Sequence, residues 1–179
     1  SSSNDNKSVV GNNNIIFNAL AEGGPYINCK ISVTDNASNT SDNLSVSSFT
    51  IDKTAPTVTQ VTAVPTPDND TTPNYTFYST EAGAITYGGS CSSSDNNTTT
   101  VADNITTITF NPLSAGDPRT TYDNCKIRVT DNASNISNDL DVSPFTIDTI
   151  APTVYSTSPR DTQSSVSVND NISVTFSES

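Results

Sequence analysis

The side chains in this chain that could do chemistry are three cysteines, Cys29, Cys91 and Cys125, and 19 acidic residues set against 7 basic ones, with no histidine anywhere. Without histidine the usual general base, proton shuttle and commonest metal ligand are missing. A Ser-His-Asp or Cys-His mechanism cannot be assembled, and a Cys/His zinc site lacks ligands. Paired carboxylates can hydrolyse glycosides, but no aromatic cleft accompanies them here, so the chain reads as non-catalytic. What remains open to Asp and Asn in loops is a hard cation. Calcium takes six to eight oxygen ligands, and loop carboxylates supply them. The candidate calcium ligands are Asp35, Asp52, Asp131 and Asp148. Against that stands a plainer use, with Asp131 capping a turn and Asp148 lying in a solvated linker. The absence of a dense D-x-D-x-D run favours the plainer use.

The elements that position these residues are set by an internal repeat. Residues 29–58 and 125–154 are identical at 22 of 30 positions at a constant offset of 96. The match runs backwards through Tyr26 and Tyr122 to Phe17 and Phe110, with three extra residues in the second copy. A period near 96 residues has the size of a β-sandwich module. It divides the chain into residues 1–52, the C-terminal half of one repeat, residues 53–148, a complete repeat, and residues 149–179, the N-terminal part of a following domain. Two accounts of the partial units stay open: a window on a longer array, or completion by other chains.

The repeat also orders the cysteines. Cys91 and Cys125 fall in the complete unit, while Cys29 matches Cys125 and its partner would lie upstream. A Cys91–Cys125 disulfide is expected, and it would stabilise a thin core by about 3–4 kcal/mol in the chain-entropy model. Two buried reduced thiols are the alternative.

Alternating strings of apolar and polar residues give about seven short strands in the complete unit. Val58, Val61 and Ala63 open it, followed by Tyr75/Phe77, Ile85/Tyr87, Ile108/Phe110 and Cys125/Ile127/Val129. Leu140 and Val142 then take one parity and Phe145 and Ile147 the other, for which a β-bulge near Ser143-Pro144 is expected. Strict alternation puts Tyr122 on the face opposite Cys125. Asp131-Asn132-Ala133-Ser134-Asn135 is a turn cluster. No stretch holds a helical period. A net charge of −12 argues against nucleic acid as a partner, and no apolar run is long enough to insert in a membrane.

The strand Tyr122–Val129, the turn Val129–Asn135, the closing Phe145-Thr146-Ile147-Asp148 and the opener Ala55-Pro56-Thr57-Val58 resemble the bacterial immunoglobulin-like repeats of large secreted surface proteins and adhesins. Ser158-Pro159-Arg160-Asp161 with Phe176-Ser177-Glu178 resembles a second subtype of the same modules. The resemblance implies an all-β fold of tandem immunoglobulin-like β-sandwich domains, one complete and two partial. It implies an extracellular place on a bacterial cell surface and a structural role as stalk or spacer in an adhesin-like array, whose partners are neighbouring domains of the same or adjacent chains. Calcium at the junctions would stiffen such a rod. Two alternatives are an extracellular filament or sheath assembled by strand exchange, and a module that grips a host protein or glycan through the loop 92–104.

Overall fold

The computed structural model describes residues 9–95, 99–100, 102–115 and 119–178. It is strand-built throughout, with no helix among the described residues. The first half-unit contributes β1 (Gly23–Tyr26), β2 (Lys30–Ile31), β3 (Leu44–Ser45) and β4 (Phe49–Ile51). The complete unit contributes β5 (Val58–Thr62), β6 (Asn74–Ser79), β7 (Gly83–Gly88), β8 (Thr99–Thr100), β9 (Asn104–Thr109), β10 (Thr120–Tyr122), β11 (Lys126–Asp131), β12 (Leu140–Asp141) and β13 (Phe145–Ile147). A last hairpin follows, β14 (Val154–Ser158) with β15 (Ser173–Phe176).

In the complete unit, β5, β6 and β9 form one antiparallel sheet, and β12, β11, β7 and β8 form the other, with β10 and β13 as a further pair. Strand β6 shows why the sequence folds this way. Tyr75, Phe77 and Ser79 point inward and are fully buried, while Thr76 faces out and pairs with Thr107 across the ladder, 2.9 Å between hydroxyls. The rings of Phe77, Tyr75, Phe110, Phe145 and Tyr122 stack in succession with centroids 5.3–6.3 Å apart. Ile108, Ile127, Val129 and Ile147 close around them with no exposed surface.

The opening strand differs from the sequence expectation. Its pairing with β6 slips between Gln60 and Thr62. This bulge turns Val61 and Ala63 outward and delivers Val64 to the core instead, at 3 % exposure. Gln60 then serves as a polar clasp: its Oε1 accepts from the Tyr75 hydroxyl and the Ser143 N–H at 3.1 Å each, and its Nε2 donates to Ser143 Oγ at 2.8 Å. Burial pushes the Tyr75 phenol up to about 12. Beyond β5 the chain crosses to the β10–β13 pair. Asp68 N–H donates to Thr146 O and Asp148 N–H to Asp68 O, both at 2.9 Å, which covers the free edge of β13.

Two further expectations are corrected together. Tyr122 pairs with Phe145 and Lys126 with Asp141 in one unbroken register, so no residue is inserted near Ser143-Pro144. The ladder merely opens over three residues on each strand. Both strands rotate through the gap, and that changes parity on both sides at once. Tyr122 and Cys125 consequently share the core face, at 8 % and 2 % exposure, and the Tyr122 hydroxyl donates to Ser114 O at 3.0 Å. This is a tyrosine corner of the kind found in immunoglobulin sandwiches. The half-unit repeats it: Tyr26 donates to Ala21 O at 2.8 Å.

Cys91 and Cys125 are joined in a disulfide, Cα atoms 5.2 Å apart. It links the end of β7 to the start of β11, neighbours within one sheet. Cys29 is free and half-buried.

Candidate functional site

Of the four candidate calcium ligands, the fold brings two together. Strand β4 ends one residue before Asp52, and β11 ends on Asp131. Glu81, two residues past β6, joins them, so that carboxylate oxygens of Asp52, Glu81 and Asp131 all lie within 4.8 Å of one another at the junction between the half-unit and the complete unit. The surroundings treat the three acids differently. Burial, and after it the charges of Asp52, Asp131 and Glu22, push the Glu81 carboxyl up. Burial also opposes charge on Asp131, but the Asn135 side chain and the backbone N–H groups of Asn135, Ala133 and Ser134 outweigh it and hold that carboxyl low. Glu81 therefore takes up a proton before Asp131 as the pH falls.

The donor set is of the hard oxygen type that calcium selects, and three carboxylates supply about half of the six to eight ligands it takes. The rest would fall to carbonyl oxygens and water. Asn135 already serves two acceptors there, donating from Nδ2 to Asp131 Oδ2 at 2.9 Å and to Asp52 O at 3.2 Å.

Asp131 also caps its own turn. Its Oδ1 accepts from the Asn135 N–H at 2.8 Å. Asp35 sits in the same turn of the preceding half-unit, taking the Asn39 N–H at 2.8 Å, Asn39 Nδ2 at 2.9 Å and the Ala37 N–H at 2.8 Å. Its carboxyl is likewise held low, first by the Asn39 side chain. Lowered folded-state values mean that both caps contribute stability at neutral pH that is lost as the pH falls through and below the ordinary carboxylate range. An Asp131→Asn variant is expected to be less stable than the parent at pH 7. The gap should close toward pH 3, as read by thermal unfolding at the two pH values.

Asp148 lies elsewhere, paired with Arg119 at 2.7 Å. Sequence reasoning missed Glu81 because it lies outside the repeated segment, and Arg119 because the two copies differ at its place. The loop expected to grip a ligand falls partly outside the described residues, at 96–98 and 101. Its described start is tied down: Ser93 Oγ donates to Thr109 O at 2.6 Å, and Asp95 Oδ2 accepts from Thr109 N–H at 2.7 Å.

A groove of about 180 Å³ on the outer face of β7 and β11 is lined by Thr86, Gly88, Lys126, Arg128 and Asp139. That is below the usual 300–1,000 Å³ of a small-molecule pocket. Its cations are already engaged: Lys126 pairs with Asp139 at 3.2 Å and Asp141 at 3.0 Å, and Arg128 with Asp139.

Residues 148–179 match the family described as bacterial Ig-like domain. Neither a curated protein nor a solved structure matches the chain. No helix among the described residues is long and apolar enough to cross a membrane.

Proposed function

We propose that this chain is a stretch of stalk from a secreted bacterial surface protein, in which immunoglobulin-like modules repeat end to end and hold another part of the molecule away from the cell. The observation that carries this reading is the repeat at atomic detail. The β2–β3 pair and the β11–β12 pair share one register, and the half-unit and the complete unit share the tyrosine corner and the capped turn. Only five residues separate Asp148 from Val154, Pro152 among them. Short proline-containing links restrict rotation between modules. The acidic, Ser/Thr/Asn-rich surface keeps such a rod soluble. A calcium ion among Asp52, Glu81 and Asp131 belongs to the same proposal, as a brace at the first junction.

Small-angle scattering tests the spacer role. Modules advancing about 40 Å each should give the 179-residue chain a radius of gyration of about 25 Å, against about 16 Å for a compact body of that length. A compact value would overturn the stalk.

A second reading is a filament built by strand exchange, in which a neighbouring chain would lay strands over the stacked rings of the half-unit, Tyr26 on Phe49 at 5.4 Å and Phe49 on Phe17 at 5.7 Å.

A further inference from the structure

The two module junctions share an architecture and differ in charge, three carboxylates meeting at the first and two carboxylates with an arginine at the second. Asp52 and Asp148 are equivalent, 96 residues apart. Glu81 stands two residues past the end of β6, and Glu178 two residues past the end of β15. The link is clasped identically at each. Thr57 N–H donates to Thr80 Oγ1 at 2.9 Å and Thr80 N–H to Thr57 O at 3.0 Å. Thr153 N–H donates to Ser177 Oγ at 2.9 Å and Ser177 N–H to Thr153 O at 2.8 Å.

Into the second junction comes Arg119, whose Nε lies 2.7 Å from Asp148 Oδ2 and whose Nη2 lies 2.8 Å from Glu178 Oε2. At the equivalent place in the half-unit stands Glu22, because Gly23 pairs with Ile51 as Thr120 pairs with Ile147, and its negative charge adds to those around Glu81 at the first junction.

We propose that Arg119 is the pin that fixes the following module on the complete one, its guanidinium bridging a carboxylate from each. An exposed ion pair alone would do little. Here both carboxylates are largely covered, with side-chain exposures of 11 % and 17 %, and the planar fork meets both at once. Apolar burial does not hold this joint, because β14 and β15 are exposed along their whole length. Removing the arginine leaves two covered carboxylates facing each other, so the joint should open rather than simply weaken.

The inference rests on the reading of the chain as a string of modules, but its test is separate from the scattering experiment. Residual dipolar couplings of backbone amides in the full 179-residue chain report whether β14–β15 and β5–β13 share one alignment. In the parent chain they should. In Arg119→Gly the degree of order of β14–β15 should fall to about half or less, and Arg119→Lys, a point charge without the fork, should fall between. The melting temperature of the complete module should stay unchanged, which a role confined to that module's own stability would not predict. Arg128→Gly, which removes a paired arginine from the same module away from the joint, should leave the alignment intact. If Arg119→Gly unfolds the last hairpin, Glu178→Gln decides, since it keeps the shape and removes one arm of the bridge. A shared alignment that survives both substitutions, or independent alignments already in the parent chain, overturns the pin. A compact scattering profile with an Arg119-dependent alignment would sink the stalk and leave the pin standing.

Discussion

Replacing Cys91 and Cys125 together by alanine is expected to lower the stability of the complete module by about 3–4 kcal/mol and its melting temperature by roughly 15–25 °C. The bond closes a loop with a sequence separation of 34. Alanine is the right replacement because both sites are buried, at 4 % and 2 % exposure, and a serine hydroxyl would add an unmet hydrogen bond. The local backbone is arranged around the bond. The β7–β11 ladder ends at Gly88 opposite Lys126, and Gly89 then turns at φ +72° so that Cys91 comes back over Cys125. A Cβ on Gly89 would sit 2.0 Å from the Asn124 carbonyl oxygen, so only glycine makes this turn. A module of this size has a total stability of about 5–15 kcal/mol, of which the bond would be a large part. Denaturant unfolding of the parent, the double alanine variant and the reduced parent should give one midpoint for the last two, well below the first. Cys29→Ala should leave that transition where it is. A double variant as stable as the parent would mean that the core alone holds the sandwich.

Much of this was legible because the chain says it twice. The repeat located β10–β13 by matching β1–β4, and the alternation of Tyr75/Phe77 and Ile127/Val129 identified their inward faces. Legibility failed where a strand changes its phase without a residue that announces it. Val61 and Ala63 continue the apolar string after Val58, yet a slip at Gln60 hands their place to Val64. The parity change at Ser143-Pro144 was visible, but its cause was not. It is shared with the facing strand, so it needs no inserted residue, and the same rotation moves Tyr122 onto the core face. The acidic group was half legible. Asp52 and Asp131 could be named from the turn and the unit boundary, whereas Glu81 meets them only because β6 and β11, distant in sequence, end side by side at one pole of the sandwich. Arg119 gave no signal in the repeat, since a bulge in β1 sets Glu22 at its place and the two copies differ there.

The larger test compares one ring in two settings. Phe145 and Phe49 are equivalent, 96 residues apart, each stacked on a corner tyrosine and on a second phenylalanine. Phe145 is buried to 1 % exposure, beneath the sheet that carries Tyr75 and Phe77, and Phe145→Ala should cost about 3–5 kcal/mol, enough to unfold much of the complete module at 37 °C. Phe49 is only half-buried, and none of the described residues 9–52 reaches full burial. In an isolated 179-residue chain Phe49→Ala should therefore cost far less, of order 1 kcal/mol, because most of the apolar surface it removes was never taken from water. The same pair of substitutions separates the two readings of function. If chains exchange strands, Phe49 becomes a core residue in the assembly. Phe49→Ala should then cost nearly as much as Phe145→Ala at high protein concentration and little at low concentration, because heterologous contacts of this kind respond to mass action. If the chain is a length of stalk, the cost of Phe49→Ala should be independent of concentration, and it should approach that of Phe145→Ala only when a further module is fused upstream. Sedimentation velocity beside the unfolding curves makes the distinction direct: concentration-dependent growth that Phe49→Ala abolishes supports exchange, and a monomer at every concentration removes it.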